Sequence, residues 1–396
     1  MYTKSKNIKL FYSFWQAGYE CADHQNIHGD RVNLLKKTYH DILIEEDYIG
    51  LIPLNIYTVR EGICWNFVEK SPGLYDWTEV SNRIKAGIKY GIQQIWDICH
   101  FGYPDDLSPF HPRFVERFTQ VCRAFAELWR SLTNETLIIT PINEISFISW
   151  LGGEIKHTVP YTQGLGFQVK CELVKACIAG MKAISEVDPN ARFLHTEPLI
   201  YVFPGDDTPE TIAQVARINE ERFQALDMLA GKLMPELGGD PIYLDLIGLD
   251  FYYNNQWVHH GSRIQWETPK DPRWIPLSQL LKQVYERYQK PVLISETSHL
   301  GIGRGEWILE IGAECKKALE MGIDLQGVCL YPIIDRPDWD NLKQYHNSGM
   351  WDMELIPGSP SKRMLCENYA KDLLAAQRGI NAYIPVTSLI EPAKLS

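Results

Sequence analysis

The sequence predicts an α/β protein built as a single (β/α)8 barrel. Short apolar runs alternate with amphipathic segments along the chain, and eight such runs can be counted. No low-complexity linker and no repeat of solenoid length interrupts them. A chain of 396 residues is long enough for two or three domains, but α/β barrels with insertions reach this size undivided. A doubly wound parallel sheet is the other architecture that such an alternation allows.

The elements follow in order. The first strand is expected at LFYSFW (10–15) and the second at GLIPLNIYTV (50–59). The helical stretch SNRIKAGIKYG ends on Gly91, a C-cap residue, and leads into IQQIWDIC (92–99). PRFVERFTQVCRAFAELWRSL then places Phe114, Phe118, Val121, Cys122, Phe125 and Leu128 on one helical face, ahead of the strand TLIITPI (136–142). A helix over FQVKCELVKACIAGMKAISEV and the turn DPN precede ARFLHT (191–196). TIAQVARINEERFQALDMLAG precedes DLIGLDFY (245–252), LSQLLKQVYERYQ precedes PVLIS (291–295), and WILEIGAECKKALEMG precedes GVCLYPI (327–333). A last helix covers KRMLCENYAKDLLAAQR (362–378), and a short surface tail begins at about 380. The barrel domain therefore takes up 1–396.

Composition removes several classes. At 45% hydrophobic residues the chain can bury a core, which disordered sequences cannot. No apolar run reaches the ~20 residues of a membrane span. A net charge of −11 argues against nucleic-acid binding, which calls for a basic face. The nine Cys form no CxxC pair, so neither a zinc cluster nor a disulfide framework is expected. The N-terminus shows no apolar stretch followed by a small-residue cleavage site, and the expectation is a cytoplasmic protein. The 12 Trp, 20 Tyr and 14 Phe fill a core or line a cleft that stacks on sugar or ring ligands.

Barrel enzymes place their chemistry at the C-terminal ends of the strands. Arg60 follows the second run, His100 the third, and Asn143 and Glu144 the fourth. His195 and Glu197 end the fifth, Tyr252 the sixth, Glu296 follows the seventh, and Tyr331 lies in the eighth. Two carboxylates across a cleft are the equipment of glycoside cleavage, one protonated and one ionised, their pKa values pushed apart by environment. Arg60 can keep Glu296 ionised, Tyr252 can hydrogen-bond it, and the Asn143 amide can bind a sugar hydroxyl. Asn-Glu also occurs at 134–135 and 219–220, but only Asn143-Glu144 directly follows a buried strand.

The motifs carry a resemblance. PINEI resembles T-[LF]-N-E-P and VLISET resembles I-T-E-N-G of the retaining glycoside hydrolases of clan A, nearest to family 1, the β-glucosidase family, or a sister family. VREGICW resembles Y-R-F-S-I-S-W, CHFGYP resembles Y-H-W-D-L-P, and GLDFY resembles G-[LI]-N-x-Y. YPIIDRPDW aligns without a gap to W-S-L-L-D-N-F-E-W, and AGYE is similar to A-S-Y-Q. The resemblance implies Glu144 as acid/base, Glu296 as nucleophile, Asn143 as 2-hydroxyl ligand, Arg60 beside the nucleophile and Tyr252 as the nucleophile's hydroxyl partner. It implies His100 as a glycone ligand, puts Asp338 and Trp339 on the family's glycone-binding Glu and Trp, and puts Glu20 where the family has Gln. Departures accompany it: Tyr331 for Trp, Asp338 for Glu, Glu20 for Gln, Pro141 for Thr and Ile145 for Pro around the acid/base, and Thr297-Ser298 for Asn-Gly after the nucleophile. The implied activity is a retaining β-glycosidase acting on a small-molecule or oligosaccharide glycoside, with no cofactor and no metal. A transglycosylase using the same residues and a sugar-binding pseudoenzyme are the alternatives.

Other features fit the same frame. The long segment after Glu144 carries Phe147, Trp150 and Tyr161, and that after Tyr252 carries Trp257, Trp266 and Trp274; each either lines the cleft or packs its loop. His259-His260 lacks a third ligand in register and reads as solvated rather than metal-binding. GIGRG (301–305) lacks phosphate-loop spacing and reads as a loop. Arg336 and Lys343 are the only cations near the eighth strand's loop, beside Asp335, Asp338 and Asp340, which disfavours a phosphosugar.

Overall fold

The computed structural model describes residues 10–384. Eight parallel strands close into a barrel, each paired with its neighbours in chain order and the last with the first. They are β1 (Trp15–Gly18), β2 (Thr58–Gly62), β3 (Gln93–Cys99), β4 (Ile138–Ile142), β5 (Arg192–Pro198), β6 (Leu246–Asp250), β7 (Val292–Thr297) and β8 (Leu325–Leu330). The principal helices between and after them are α1 (His40–Leu51), α2 (Thr78–Tyr90), α3 (Phe114–Leu132), α4 (Gly166–Val187), α5 (Pro209–Glu221), α6 (Leu277–Tyr288), α7 (Arg304–Glu320) and α8 (Glu367–Ile380). The expected barrel is thus the observed one, and the doubly wound sheet is excluded. Most of the expected tail, 385–396, lies outside the described residues.

Two strands start later than their apolar runs. In the first run, Phe11 is not a strand residue but a plug. It packs with Ile95, Ile138, Leu194, Leu246 and Leu293, one inward residue from each of β3 to β7, and closes the lower end of the barrel. In the second, Gly50 and Leu51 finish α1, and Ile52–Leu54 form a 3-10 turn that ends at a left-handed Asn55. Only then does the chain extend. Hydrophobicity marked burial correctly in both places, but burial under a barrel is not the same as membership of its sheet.

The helices fold as their periodicity predicts. α3 buries Phe114, Phe118, Val121, Cys122 and Phe125, with Leu128 only partly covered. It packs closely on α4 because Gly180 has no side chain there. A Cβ at that position would stand 2.8 Å from Cys122 Sγ and 2.9 Å from Phe118 Cε1. Among the described residues, no helix is long and apolar enough to cross a membrane.

Outside the barrel, β2 sends Glu61 into a buried charge cluster. Its carboxylate accepts from His40 Nε2 at 2.9 Å, Tyr48 Oη at 2.7 Å and Arg83 Nη1 at 2.8 Å. The other His40 nitrogen meets Asp47 at 2.7 Å, and Asp47 also accepts two bonds from Arg363, on the excursion after β8. Burial opposes the charge on Glu61, but His40 and Arg83 outweigh it and bring its pKa to about 2. Burial likewise opposes the charge on His40, and Glu61 and Asp47 reverse it, raising His40 above its ordinary value. The signs differ. The Glu61 contribution to stability is complete above the unfolded carboxyl range and is lost as pH falls through about 2. The His40 contribution is complete below ~6.5 and is lost as pH rises through its raised folded value. Glu61→Gln should cost about 3–5 kcal/mol in urea unfolding, because two buried cations lose their counter-charge. A loss under 1 kcal/mol would show that the cluster is not a unit.

Candidate active site

The upper end of the barrel is organised around Arg60, which projects inward from β2 and is buried. Its Nε donates to Asp97 Oδ1 at 3.0 Å, and its Nη2 lies 2.8 Å from Asp97 Oδ2. Nη2 also reaches Asn143 Oδ1, and Nη1 reaches Glu296 Oε1 at 2.7 Å. One guanidinium therefore ties β2 to β3, β4 and β7.

Glu296 faces the site because β7 is irregular. Leu293 and Ser295 point inward, so simple alternation would turn Glu296 outward. A register shift between Ile294 and Glu296 against β6 re-aims it, as bulges do beside active sites. Tyr252 Oη then donates to Glu296 Oε2 at 2.8 Å, and Asn143 Nδ2 to Oε1 at 3.5 Å. Asn143 is oriented in turn by Thr196 Oγ1, which donates to its Oδ1 at 2.6 Å.

Glu144 follows at the end of β4 in a left-handed conformation, φ 43° and ψ 61°. That conformation costs a non-glycine residue of order 1 kcal/mol. The surroundings hold it: Glu144 N donates to Thr196 O at 3.1 Å, and Ser146 N donates to both Glu197 carboxylate oxygens at 3.2 Å. Glu197 is thus a support for the turn that carries Glu144.

The two glutamates occupy different electrostatic surroundings. Burial pushes Glu144 well above the usual carboxyl range, and Asp250, Glu296 and Glu197 push it further, with only Arg60 in opposition. Each of these causes, Arg60 apart, favours its protonated form. Glu296 has an ion pair with Arg60 and a phenol donor, the partners a carboxylate accepts. Asp97 feels burial too, yet Arg60 and His100 hold it below its ordinary value.

The remaining expected residues form a ring beside this pair. His100 Nδ1 meets Asp97 Oδ2 at 2.9 Å, and its Nε2 lies 3.2 Å from Tyr331 Oη. Tyr331 Oη also donates to Glu20 Oε1 at 3.2 Å, and its ring covers Gly18, where a Cβ would lie 2.0 Å from Tyr331 Cδ2. Trp339 stands edge-on to His24 at 4.8 Å and to Phe101 at 5.4 Å. Its indole N–H, though buried, has no hydrogen-bond partner. Asp338 sits in the same loop, but its carboxylate accepts from the backbone N–H groups of Asp340 and Asn341 and meets His346 Nε2 at 3.1 Å.

Other candidates go elsewhere. His195 points away from the barrel lumen and bonds Tyr243 O at 2.8 Å. Trp266 and Trp274 are buried against Trp307, so they pack their loop. Tyr161 Oη donates to Asn26 O and ties two loops. Phe147 lies 6.2 Å from Trp339 and 5.9 Å from the exposed Trp150, an aromatic path leading outward from the ring. GIGRG is a short 3-10 turn leading into α7. Among the described residues, Cys21, Asp97 and His100 come close enough together to suggest a metal. The donor set does not fit one, since Asp97 is committed to Arg60 and burial keeps the Cys21 thiol protonated.

Asp97, Asp250 and Thr196 belong to the site without having been expected there. The signal was present for two of them. Asp97 and Asp250 are charged residues inside apolar strands, and they share the inward parity of Ile95 and Leu246.

No family model matches the sequence, and no curated protein matches it either. Solved structures do. The family 1 β-glucosidase of Thermotoga maritima superposes with TM-score 0.70 at 16% identity, covering 92% of this chain and 97% of that one. Its complex with isofagomine lactam gives 0.68 at 16%, covering 86% and 87%. The complex with deoxynojirimycin gives 0.70 at 15%, covering 92% and 97%. The barrel is thus built like theirs, as the sequence resemblance implied.

The coupling between the two glutamates is measurable without a substrate. Glu296→Gln removes a like charge beside Glu144, so the Glu144 pKa should fall, by about one unit or more, in carboxyl-13C NMR titration. An unmoved Glu144 resonance would show that the two groups do not face each other.

Proposed function

We propose that the chain is a single-domain retaining β-glycosidase that hydrolyses a β-linked small-molecule or oligosaccharide glycoside. One observation carries the reading. Two glutamates at the ends of β4 and β7 meet in one buried site, one ion-paired and one kept as an acid. This is the division of labour that double displacement needs.

The steps follow from the contacts. Glu296 Oε attacks the anomeric carbon while the glycosidic C–O bond breaks, and Glu144 gives its proton to the leaving oxygen. Loss of that proton is timely, because the negative charge on Glu296 disappears into the ester. Glu144, now ionised, takes a proton from water; the water oxygen attacks the same carbon and the ester bond to Glu296 breaks. Arg60 and Tyr252 hold Glu296 in a single rotamer throughout, so little reorganisation is needed at the moment of attack. The Asn143 amide is placed to bond the sugar's 2-hydroxyl. His100, Tyr331, Glu20 and Trp339 form the wall for the rest of the glycone, with Asp338 behind it in the same loop. Phe147 and Trp150 line the way out for the leaving group. Eight of the nine thiols are buried and all are free, which fits a reducing, cytoplasmic setting.

A sugar-binding protein without activity would have no need for one glutamate ion-paired to Arg60 and a second, unpaired, whose pKa burial pushes up. A panel of nitrophenyl glycosides tests the reading and identifies the sugar. Glu296→Ala should abolish turnover, and azide should restore part of it by filling the nucleophile's place. Glu144→Gln should slow glycosides with poor leaving groups by about 10²–10⁴ and activated aryl glycosides less. Unchanged activity in Glu296→Ala would end the assignment.

A further inference from the structure

Building on that reading, we propose that Asp250 is a third acid of the site. It is a positioning residue that carries a proton on Oδ2, shares its titration with Glu144, and so extends upward the pH range over which Glu144 remains a donor.

The argument begins with strand parity. Leu246 belongs to the barrel plug, so Asp250, four residues on in β6, points inward at the opposite end. It is the register partner of Glu296 on β7. Its side chain is fully buried. Oδ1 accepts from Ser295 Oγ at 2.6 Å, whereas Oδ2 has no hydrogen-bond partner.

The charges around it leave it no counter-ion. Arg60 on β2 faces it, but that guanidinium is divided between Asp97 on β3 and Glu296 on β7. Glu144, at the end of β4, adds a fourth carboxyl, and Glu197 on β5 acts on Glu144 from behind. β8 offers only the Cys329 thiol, and Tyr252, just beyond β6, spends its hydroxyl on Glu296. A buried carboxylate oxygen with neither cation nor donor is costly, and a proton removes the cost. Burial and Glu296 accordingly push Asp250 well above its ordinary value, against Arg60 and Ser295. Once ionised, Asp250 is the charge that raises Glu144 most.

GLDFY places Asp250 where the pattern G-[LI]-N-x-Y has Asn. A protonated Asp has the shape of Asn and, like it, offers one acceptor and one donor. Unlike the amide, it can lose its proton. When pH rises, part of the first proton lost from the pair comes from Asp250. The anion left behind then holds the proton of Glu144 more tightly, so the two groups titrate as a unit. Beside an amide, Glu144 would lose its proton at lower pH.

Asp250→Asn tests this, since it keeps the shape and the Ser295 bond. Whatever its effect on turnover, the alkaline limb of kcat/KM should move down by about half to one pH unit. A purely structural Asp250 predicts an unmoved limb, and that result, or an upward shift, overturns the proposal. Carboxyl-13C NMR of the wild type labelled at Asp supplies a readout that needs no turnover. Two Asp resonances should titrate well above the ordinary aspartate range, from Asp250 and from Asp23, which burial pushes up to about 7. Asp250→Asn should remove one and Asp23→Asn the other, while a single such resonance in the wild type, lost in Asp23→Asn, overturns the proposal. If the wild type hydrolyses no glycoside, the hydrolytic reading fails, and the NMR result alone upholds or overturns the proton on Asp250.

Discussion

The site depends on one buried cation. A guanidinium withdrawn from water costs several kcal/mol unless its donors are filled. Arg60 fills them with Asp97, Asn143 and Glu296. This has two consequences. Mechanically, the side chain crosses the lumen and fixes three strand ends relative to β2. Electrostatically, it treats the carboxyls of the lumen unequally. Asp97 and Glu296 are bonded to it, and Glu144 and Asp250 are not. In a space that water scarcely reaches, that difference holds Asp97 below its ordinary value and leaves Glu144 and Asp250 pushed well above theirs. The difference in surroundings between the two glutamates is therefore a property of where Arg60 points, not of the glutamates themselves.

The geometry of Glu144 and Glu296 is maintained at some expense to the backbone. Glu144 adopts a left-handed conformation and Glu296 lies beyond a register shift in β7. Each irregularity turns a side chain inward that regular structure would send elsewhere. Each is held by neighbours: Thr196 O and the Glu197 carboxylate for the first, Arg60 and Tyr252 for the second. Strain of this kind persists only when the surroundings over-determine it. Glu197 therefore matters although it faces α4 and lies off the lumen.

How much of this could be read from the sequence depended on the physical signal involved. Alternation of apolar runs and amphipathic segments is a strong signal, and it located every barrel strand. Its bounds failed where burial came from something other than a sheet, as with Phe11 under the barrel and Gly50–Leu54 at the end of α1. Position at a strand end was enough to find Arg60, His100, Asn143, Glu144, Tyr252 and Glu296, all of which the structure joins in one network. It misled for His195, because parity, not nearness to the end, decides which face a strand residue takes. Parity would also have found Asp97 and Asp250. The bulge that re-aims Glu296 leaves no trace in the sequence, so the same rule applied blindly would have lost Glu296.

The departures from the family pattern also make physical sense when taken in pairs. Glu20 stands for a Gln and Arg336 for an Asn, far apart in the chain, yet Arg336 Nε lies 3.3 Å from Glu20 Oε2. The added negative charge has an added positive one beside it. The other Glu20 oxygen is engaged by the backbone N–H groups of Cys21 and Ala22 and by Tyr331. Asp338, one methylene shorter than the Glu it replaces, has its carboxylate taken up by its own loop and by His346. Both carboxylates of this outer wall are therefore satisfied by the protein. The buried polar atoms there that lack a hydrogen-bond partner include the Trp339 indole N–H and both nitrogens of His24, an imidazole that burial first, then Arg31 and His100, brings down to about 3. Around Arg60 the chain keeps the carboxyls of the pattern, whereas further out it changes charged groups and pairs them with one another, and the hydrogen-bonding surface there differs from the pattern it otherwise resembles.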